Sequence, residues 1–336
     1  MVGIVLSDIT RFFMQASAGA AGAASLWGFI FWMKARKENG ERSESFSTLS
    51  RVTFVIFLVA IGIFLATWAY SFFAFIPAAQ AHEGIVIKPQ RVDIARGFEL
   101  NLPLVSILTL IALLGIFLWR KRDLFKKYGG MIFLPQFLLV SLILLFGVTA
   151  EEFGRNQIFF WLHGWHSIIT LGTVVAVDVL YLVTLHSAAL KRALYPFFPV
   201  MSAAIWIGLG LDFASVFLII EDALHVTSQF LFNQTVVGLI IINGAFLSGK
   251  TNDFLISLIR PDRVDSISPR TNLIFGISGS LSIVSWTTIT FLDFVNLPFS
   301  YVEFLFIYLA FISIAFFSHL VLEKLLATRK VVPSVV

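Results

Sequence analysis

Nine long apolar runs, near residues 12–33, 52–76, 102–119, 131–149, 158–185, 197–220, 231–248, 273–296 and 301–323, alternate with short polar segments along this chain. Each holds roughly 18 to 28 residues, enough at about 1.5 Å per residue to cross a hydrocarbon core some 30 Å thick. The pattern predicts an all-α, polytopic membrane bundle of about nine transmembrane helices. No stretch of comparable length is left to fold as a soluble domain. The longest polar segment outside the basic ones, 78–101, is expected to form a short strand or an interfacial helix.

Composition agrees with this plan. The chain is 58% hydrophobic and only 13% charged, whereas soluble domains carry about 25% charge. The basic residues add a direction. Segments 34–51, 120–130, 186–196, 249–272 and the tail after 323 hold 19 of the 24 Lys and Arg, leaving 5 for the other side. By the positive-inside rule this places the N-terminus outside and the C-terminus in the cytoplasm. The basic balance serves topology, and no nucleic-acid partner is read from it. The absence of cysteine excludes disulfides, thiolate metal sites, iron-sulfur clusters and covalent c-type haem.

The first run carries Ala16-Ser17-Ala18-Gly19-Ala20-Ala21-Gly22-Ala23-Ala24-Ser25. Inside lipid, where apolar burial gives no drive, such a small-residue surface lets helices approach closely. Ser300 and Glu303 have the spacing of a capping box and predict the start of the last helix. Trp68, Trp161 and Trp165 are expected at the membrane interfaces. Ser248-Gly249-Lys250-Thr251 ends like a phosphate-binding loop but lacks the upstream glycine and follows no strand, so a helix end is expected there. Arg51 precedes a run ending Ala79-Gln80-Ala81, a small-residue pattern like a peptidase site. The run is too long and too internal for that, and an ordinary spanning helix is expected. A weak internal similarity links Trp206 to Asp212-Phe213 with Trp286 to Asp293-Phe294.

The polar residues that remain are few, and topology groups them. Glu151, Glu152, His163, His166, Glu221, Asp222 and His225 fall at the outer ends of the fourth, fifth and sixth runs, with His82 and Glu83 in the same compartment. His163 and His166 are three apart and so share a helix face. Glu221 or Asp222 with His225 can chelate likewise. Together His163, His166, Glu221, Asp222 and His225 form an expected nitrogen and oxygen ligand set for a divalent transition metal such as copper, zinc or iron. Histidines that sense protons or simply form hydrogen bonds are the alternative.

Asp178 and Asp212 lie within apolar runs, roughly 10 Å from the inner and outer boundaries respectively by rise per residue. A carboxylate at that depth costs on the order of 2 to 3 kcal/mol, so it is expected to face protein or water, to have a partner and to be functional. From outside inwards, His166, Asp212, Asp178 and His186 form a ladder of titratable groups suited to relaying protons or cations. The competing reading makes both aspartates structural, bonded to Ser, Thr or Asn243 of the seventh run. Asp293, near the outer end of the eighth run, is read as solvated. For haem b, His166 with His225 outside and His186 with His319 inside are the candidate axial pairs.

The histidines that open the fifth run, taken with Trp206-Ile207-Gly208 in the sixth, resemble the copper-resistance D-type inner-membrane proteins. The resemblance covers runs five to eight and implies handling of copper or another metal at the outer face, through His163, His166 and the Trp206 and Gly208 positions. The first four runs have no counterpart in it. The expected organisation is helices 1 to 4 in residues 1–150 as packing elements or an oligomer seam, a functional core in 151–325, and a cytoplasmic tail in 326–336. The expected protein sits in a prokaryotic plasma (inner) membrane, alone, as a homo-oligomer or in a membrane complex. It binds a cation at the outer cluster and passes it or protons inwards through Asp178 and Asp212, as a transporter rather than an enzyme. The alternatives are a b-type haem electron-transfer protein, which would be an oxidoreductase, and a non-catalytic scaffold or accessory subunit.

Overall fold

The computed structural model describes residues 2–80, 90–149, 168–184, 187–219, 227–259, 269–292, 295 and 297–328, and the regular structure among them is entirely helical. The helices are α1 (Val2–Lys37), α2 (Gly40–Gln80), α3 (Gln90–Arg120), α4 (Arg122–Tyr128) and α5 (Gly130–Thr149), then a π-helical turn (Ile168–Gly172) leading into α6 (Thr173–Thr184). After them come α7 (Ala188–Leu194), a 3-10 turn (Tyr195–Phe197), α8 (Phe198–Ile219), α9 (Ser228–Ile259), α10 (Pro269–Leu292) and α11 (Tyr301–Thr328). Among the described residues six helical stretches are long and apolar enough to cross a membrane, and α4 with α5, bent by 61°, makes a seventh if the pair is one broken span. The chain is an all-helical integral membrane protein whose apolar faces suit a lipid bilayer.

Helices outrun the apolar patches that predict them. The basic segment 34–51, expected as a loop, is almost wholly helical: α1 ends at Lys37, α2 begins at Gly40, and Gly40 makes the turn at φ +58°. Backbone hydrogen bonding continues through polar residues at a membrane edge, and the helix stops only where the chain must reverse. For the same reason 90–101 belongs to α3, and Ser248 to Thr251 lie inside α9 rather than at its end.

Two compact units divide the chain, Met1–Leu224 and His225–Val336. In the first unit α1 is the central strut, packing on α2, α5, the π-helical turn and α6. Its small-residue face is buried as expected, with Ala18, Ala20, Ala21, Ala23, Ala24 and Ser25 all inaccessible or nearly so. At Gly28 a side chain is sterically barred, because a Cβ there would lie 2.4 Å from the Phe133 ring and 2.7 Å from Thr53 Oγ1. Phe54, Phe125 and Phe133 form an aromatic cluster with centroids 5.7 to 6.1 Å apart, joining α2 to the α4–α5 elbow. Trp32 fills the elbow: Cβ atoms at Gly129 and Gly130 would strike its ring at 2.9 and 2.2 Å, and its Nε1 donates to the Lys126 carbonyl at 2.9 Å.

The second unit comprises α9, α10 and α11. Phe232 of α9 stacks on Phe304 of α11 at 5.1 Å and meets Tyr308 edge-on at 5.7 Å. The start of α11 is the predicted capping box: Glu303 accepts from Ser300 N at 2.7 Å, and Ser300 Oγ accepts from Glu303 N at 3.4 Å. Phe306, Phe311 and Phe317 stand out from the same helix, more than half exposed within the unit, as a lipid-facing surface requires.

Candidate functional site

Asp178, on α6, is an acidic residue in the interior of an apolar run whose side chain the structure describes. Its helix is set by two contacts with α1. A Cβ at Gly172 would lie only 2.2 Å from the Gly19 carbonyl oxygen, so the π-helical turn and α1 touch backbone to backbone. One residue on, Thr173 Oγ1 accepts from the buried Trp27 Nε1 at 3.2 Å. An extra residue in a helical turn is a recurrent feature of functional sites, and here it seats α6 against the small-residue face of α1.

The buried residues of α6 are Thr173, Val174, Ala176, Leu180 and Thr184. Asp178 is about 200° around the helix from Ala176 and Leu180 but one turn on from the buried Val174, so it flanks the packed surface. Its side chain is half-buried. Among the described residues none donates a hydrogen bond to it or forms an ion pair with it. An ionised carboxyl left unpaired within a bilayer costs on the order of 2 to 3 kcal/mol.

Asp212 lies in α8, with its side chain outside the described set. His163, His166, His186, Glu221, Asp222 and His225 lie outside the described residues, as do His82, Glu83, Glu151, Glu152 and Asp293. The expected metal ligands and three of the four expected haem ligands are therefore not among the groups placed here. Among the described residues no three His, Asp or Glu side chains gather as a metal site.

His319 is placed, in α11 of the second unit. Its ring lies against α10 at Gly276, where a Cβ would come within 2.8 Å of Cδ2 and 3.0 Å of Nε2. Trp206 and Gly208 are both on α8, the former 37% exposed and the latter buried. Trp286, its counterpart in the internal similarity, is 2% exposed, so the two tryptophans have opposite surroundings.

Asn243 is not free to serve an aspartate through the groups it uses here. Its amide donates to the Ser278 carbonyl at 3.0 Å, and Ser278 Oγ donates to its carbonyl oxygen. Other polar residues of the second unit are matched in the same way. Ser285 and Tyr308 share a hydrogen bond at 2.6 Å, and Thr235 and Tyr301 one at 3.1 Å. Gln229 donates to the carbonyls of Leu292 and Val295 and accepts from Leu297 N, closing the end of α10.

One intramembrane polar group escaped sequence reasoning. Gln136, one residue after Pro135 in α5, is fully buried, and neither its Nε2 nor its Oε1 has a hydrogen-bond partner. Its signal was a lone amide in an otherwise apolar run, overlooked because it carries no charge. No family model, no curated protein sequence and no solved structure matches the chain.

Proposed function

We propose that this protein moves a cation or protons across a membrane, with Asp178 as an intramembrane relay group. The observation that carries this reading is the half-buried Asp178 carboxyl, without a hydrogen-bond or ion-pair partner among the described residues. Structural carboxyls in lipid are paired; one left available is a group for a mobile cation or proton. In this reading nine spans run from an outer N-terminus to a cytoplasmic C-terminus. His163, His166, Glu221, Asp222 and His225 capture a divalent transition metal at the outer face, in keeping with the resemblance to copper-resistance D-type proteins, and Asp212 and Asp178 pass charge inwards.

Flux in proteoliposomes tests it. Asp178→Asn should abolish flux with expression and helix content intact, and unchanged flux rejects the relay. Because the chain has no cysteine, a single cysteine at Asn39 tests orientation: an impermeant maleimide should label it only from the cytoplasmic side.

A second reading, a non-catalytic accessory subunit, is favoured by the polar pairs of the second unit, where Asn243, Ser278, Ser285 and Tyr308 serve one another. It requires that substitution at His163 and His166 be tolerated and that the purified protein carry no metal. Elemental analysis with an absorption spectrum separates the readings, since stoichiometric metal without a Soret band supports cation binding. A Soret band would instead assign His166, His225, His186 or His319 to haem b and make electron transfer the function.

A further inference from the structure

A cleft of about 450 Å³ opens in the first unit where the α1–α2 turn meets the α4–α5 elbow, and Arg36, Glu38, Ser43, Asp123, Lys126 and Lys127 supply its polar lining. We propose that this cleft seats the phosphate of an anionic glycerophospholipid headgroup. The proposal is independent of any transport role.

The cleft is built rather than incidental. Ser43 Oγ donates to the Ala35 carbonyl at 2.6 Å and ties the start of α2 to the end of α1. Glu44 holds α4 through Arg122 and through Lys126 at 3.6 Å. From below, Trp32 Nε1 fixes the Lys126 carbonyl. These contacts set the distance between the two walls.

Charge selects an anion. Among the lining residues Lys126 is already paired with Glu44, and Glu38 faces Arg42 at 3.9 Å. Arg36 and Lys127 have no acidic partner among the described residues. Each instead lies over an aromatic ring, Arg36 over Trp32 at 5.1 Å and Lys127 over Tyr128 at 5.0 Å. A ring leaves the cation's charge unneutralised, and two such cations on one cleft attract a phosphate. Asp123, also without a described partner, offers an acceptor for a headgroup hydroxyl.

The surroundings favour a lipid over a free phosphate. The cleft lies where α1 leaves and α2 enters the apolar span, and tryptophan and tyrosine beside it mark the level at which headgroups sit. Met33, one turn from Arg36 on the same side of α1, is 37% exposed, and Met131, just past the elbow, is 72% exposed. Acyl chains have an apolar track beginning at the cleft. Basic pockets between membrane helices are a recurrent seat for acidic headgroups.

The test follows thermal unfolding of the full-length protein in detergent during titration with phosphatidylglycerol, phosphatidylcholine or inorganic phosphate. Phosphatidylglycerol should raise the unfolding midpoint saturably. In the Arg36→Gln, Lys127→Gln double variant the apparent affinity should fall roughly thirtyfold, while Arg36→Lys with Lys127→Arg retains it. Arg120→Gln with Lys121→Gln, exposed cations outside the cleft, should also behave as wild type. An unchanged response in the first double variant overturns the site. An equal rise with phosphatidylcholine overturns the anionic headgroup, and an equal rise with inorganic phosphate overturns the lipid.

Discussion

Gly19 and Gly172 meet backbone to backbone: a side chain at position 172 would place its Cβ 2.2 Å from the Gly19 carbonyl oxygen and 2.7 Å from Ala23 Cβ. In lipid, where oily side chains gain nothing by leaving their solvent, such close approach is a main source of helix association. Gly172→Ala must separate the two helices, since a carbonyl cannot turn aside as a flexible side chain can. It should cost about 1 to 3 kcal/mol, the usual penalty of overpacking. Gly62→Ala is the control, because Gly62 has nothing within 4 Å of its would-be Cβ. Unfolding in mixed detergent micelles should show a loss at 172 and none at 62.

The seat of His319 is open to a similar test in the second unit. Gly276→Ala brings a Cβ within 3.0 Å of two ring atoms and should displace the imidazole, shifting its ring nitrogen resonances in a histidine-labelled sample. Removing the ring should remove the conflict. A cycle of Gly276→Ala, His319→Ala and the double variant is expected to show a coupling of roughly 0.5 to 3 kcal/mol; strict additivity would contradict the contact.

Asn243 and Ser278 form a closed two-bond pair between α9 and α10. Hydrogen bonds between membrane helices average about 0.6 kcal/mol and reach about 1.7 kcal/mol, and this pair uses two. Asn243→Ala should therefore destabilise the second unit by roughly 1 to 2 kcal/mol. Adding Ser278→Ala should cost less than it does alone, because its partner is already gone.

Gln136 is expected to move stability the other way. A buried amide without partners carries its desolvation cost uncompensated, about 1 to 3 kcal/mol. Gln136→Leu conserves bulk and removes that cost, so its unfolding midpoint should rise. A fall instead would show that the amide is engaged by a group that the packing of α5 does not reveal.

Much of the architecture was legible because membrane helices announce themselves by local quantities. Nearly every described residue of the apolar runs is helical, and the capping box of Ser300 and Glu303 closes as its spacing predicts. The small-residue face of α1 is buried for the reason its composition suggested. Reading polar segments as loops failed at 34–51, where the helices continue to within two residues of the turn. The candidate site was less accessible. Asp178 stood out as a charged residue in an apolar run, while Gln136, also costly to leave unpaired, carried no charge to draw notice.

Length, apolarity and cap spacing are properties of neighbours in the chain, so the sequence by itself determined that this protein is helical, lies in a membrane and begins its last helix near Ser300. Tertiary structure alone decided that Gly172 meets Gly19, that Gly276 makes room for His319, and that Asp178 has no hydrogen-bond or ion-pair partner among the described residues. The reason is physical. In water the apolar side of a helix names its core, but in a bilayer the lipid is as apolar as the protein interior. Hydrophobicity therefore cannot distinguish the face that packs from the face that touches lipid, and only contacts between residues distant in sequence make that choice.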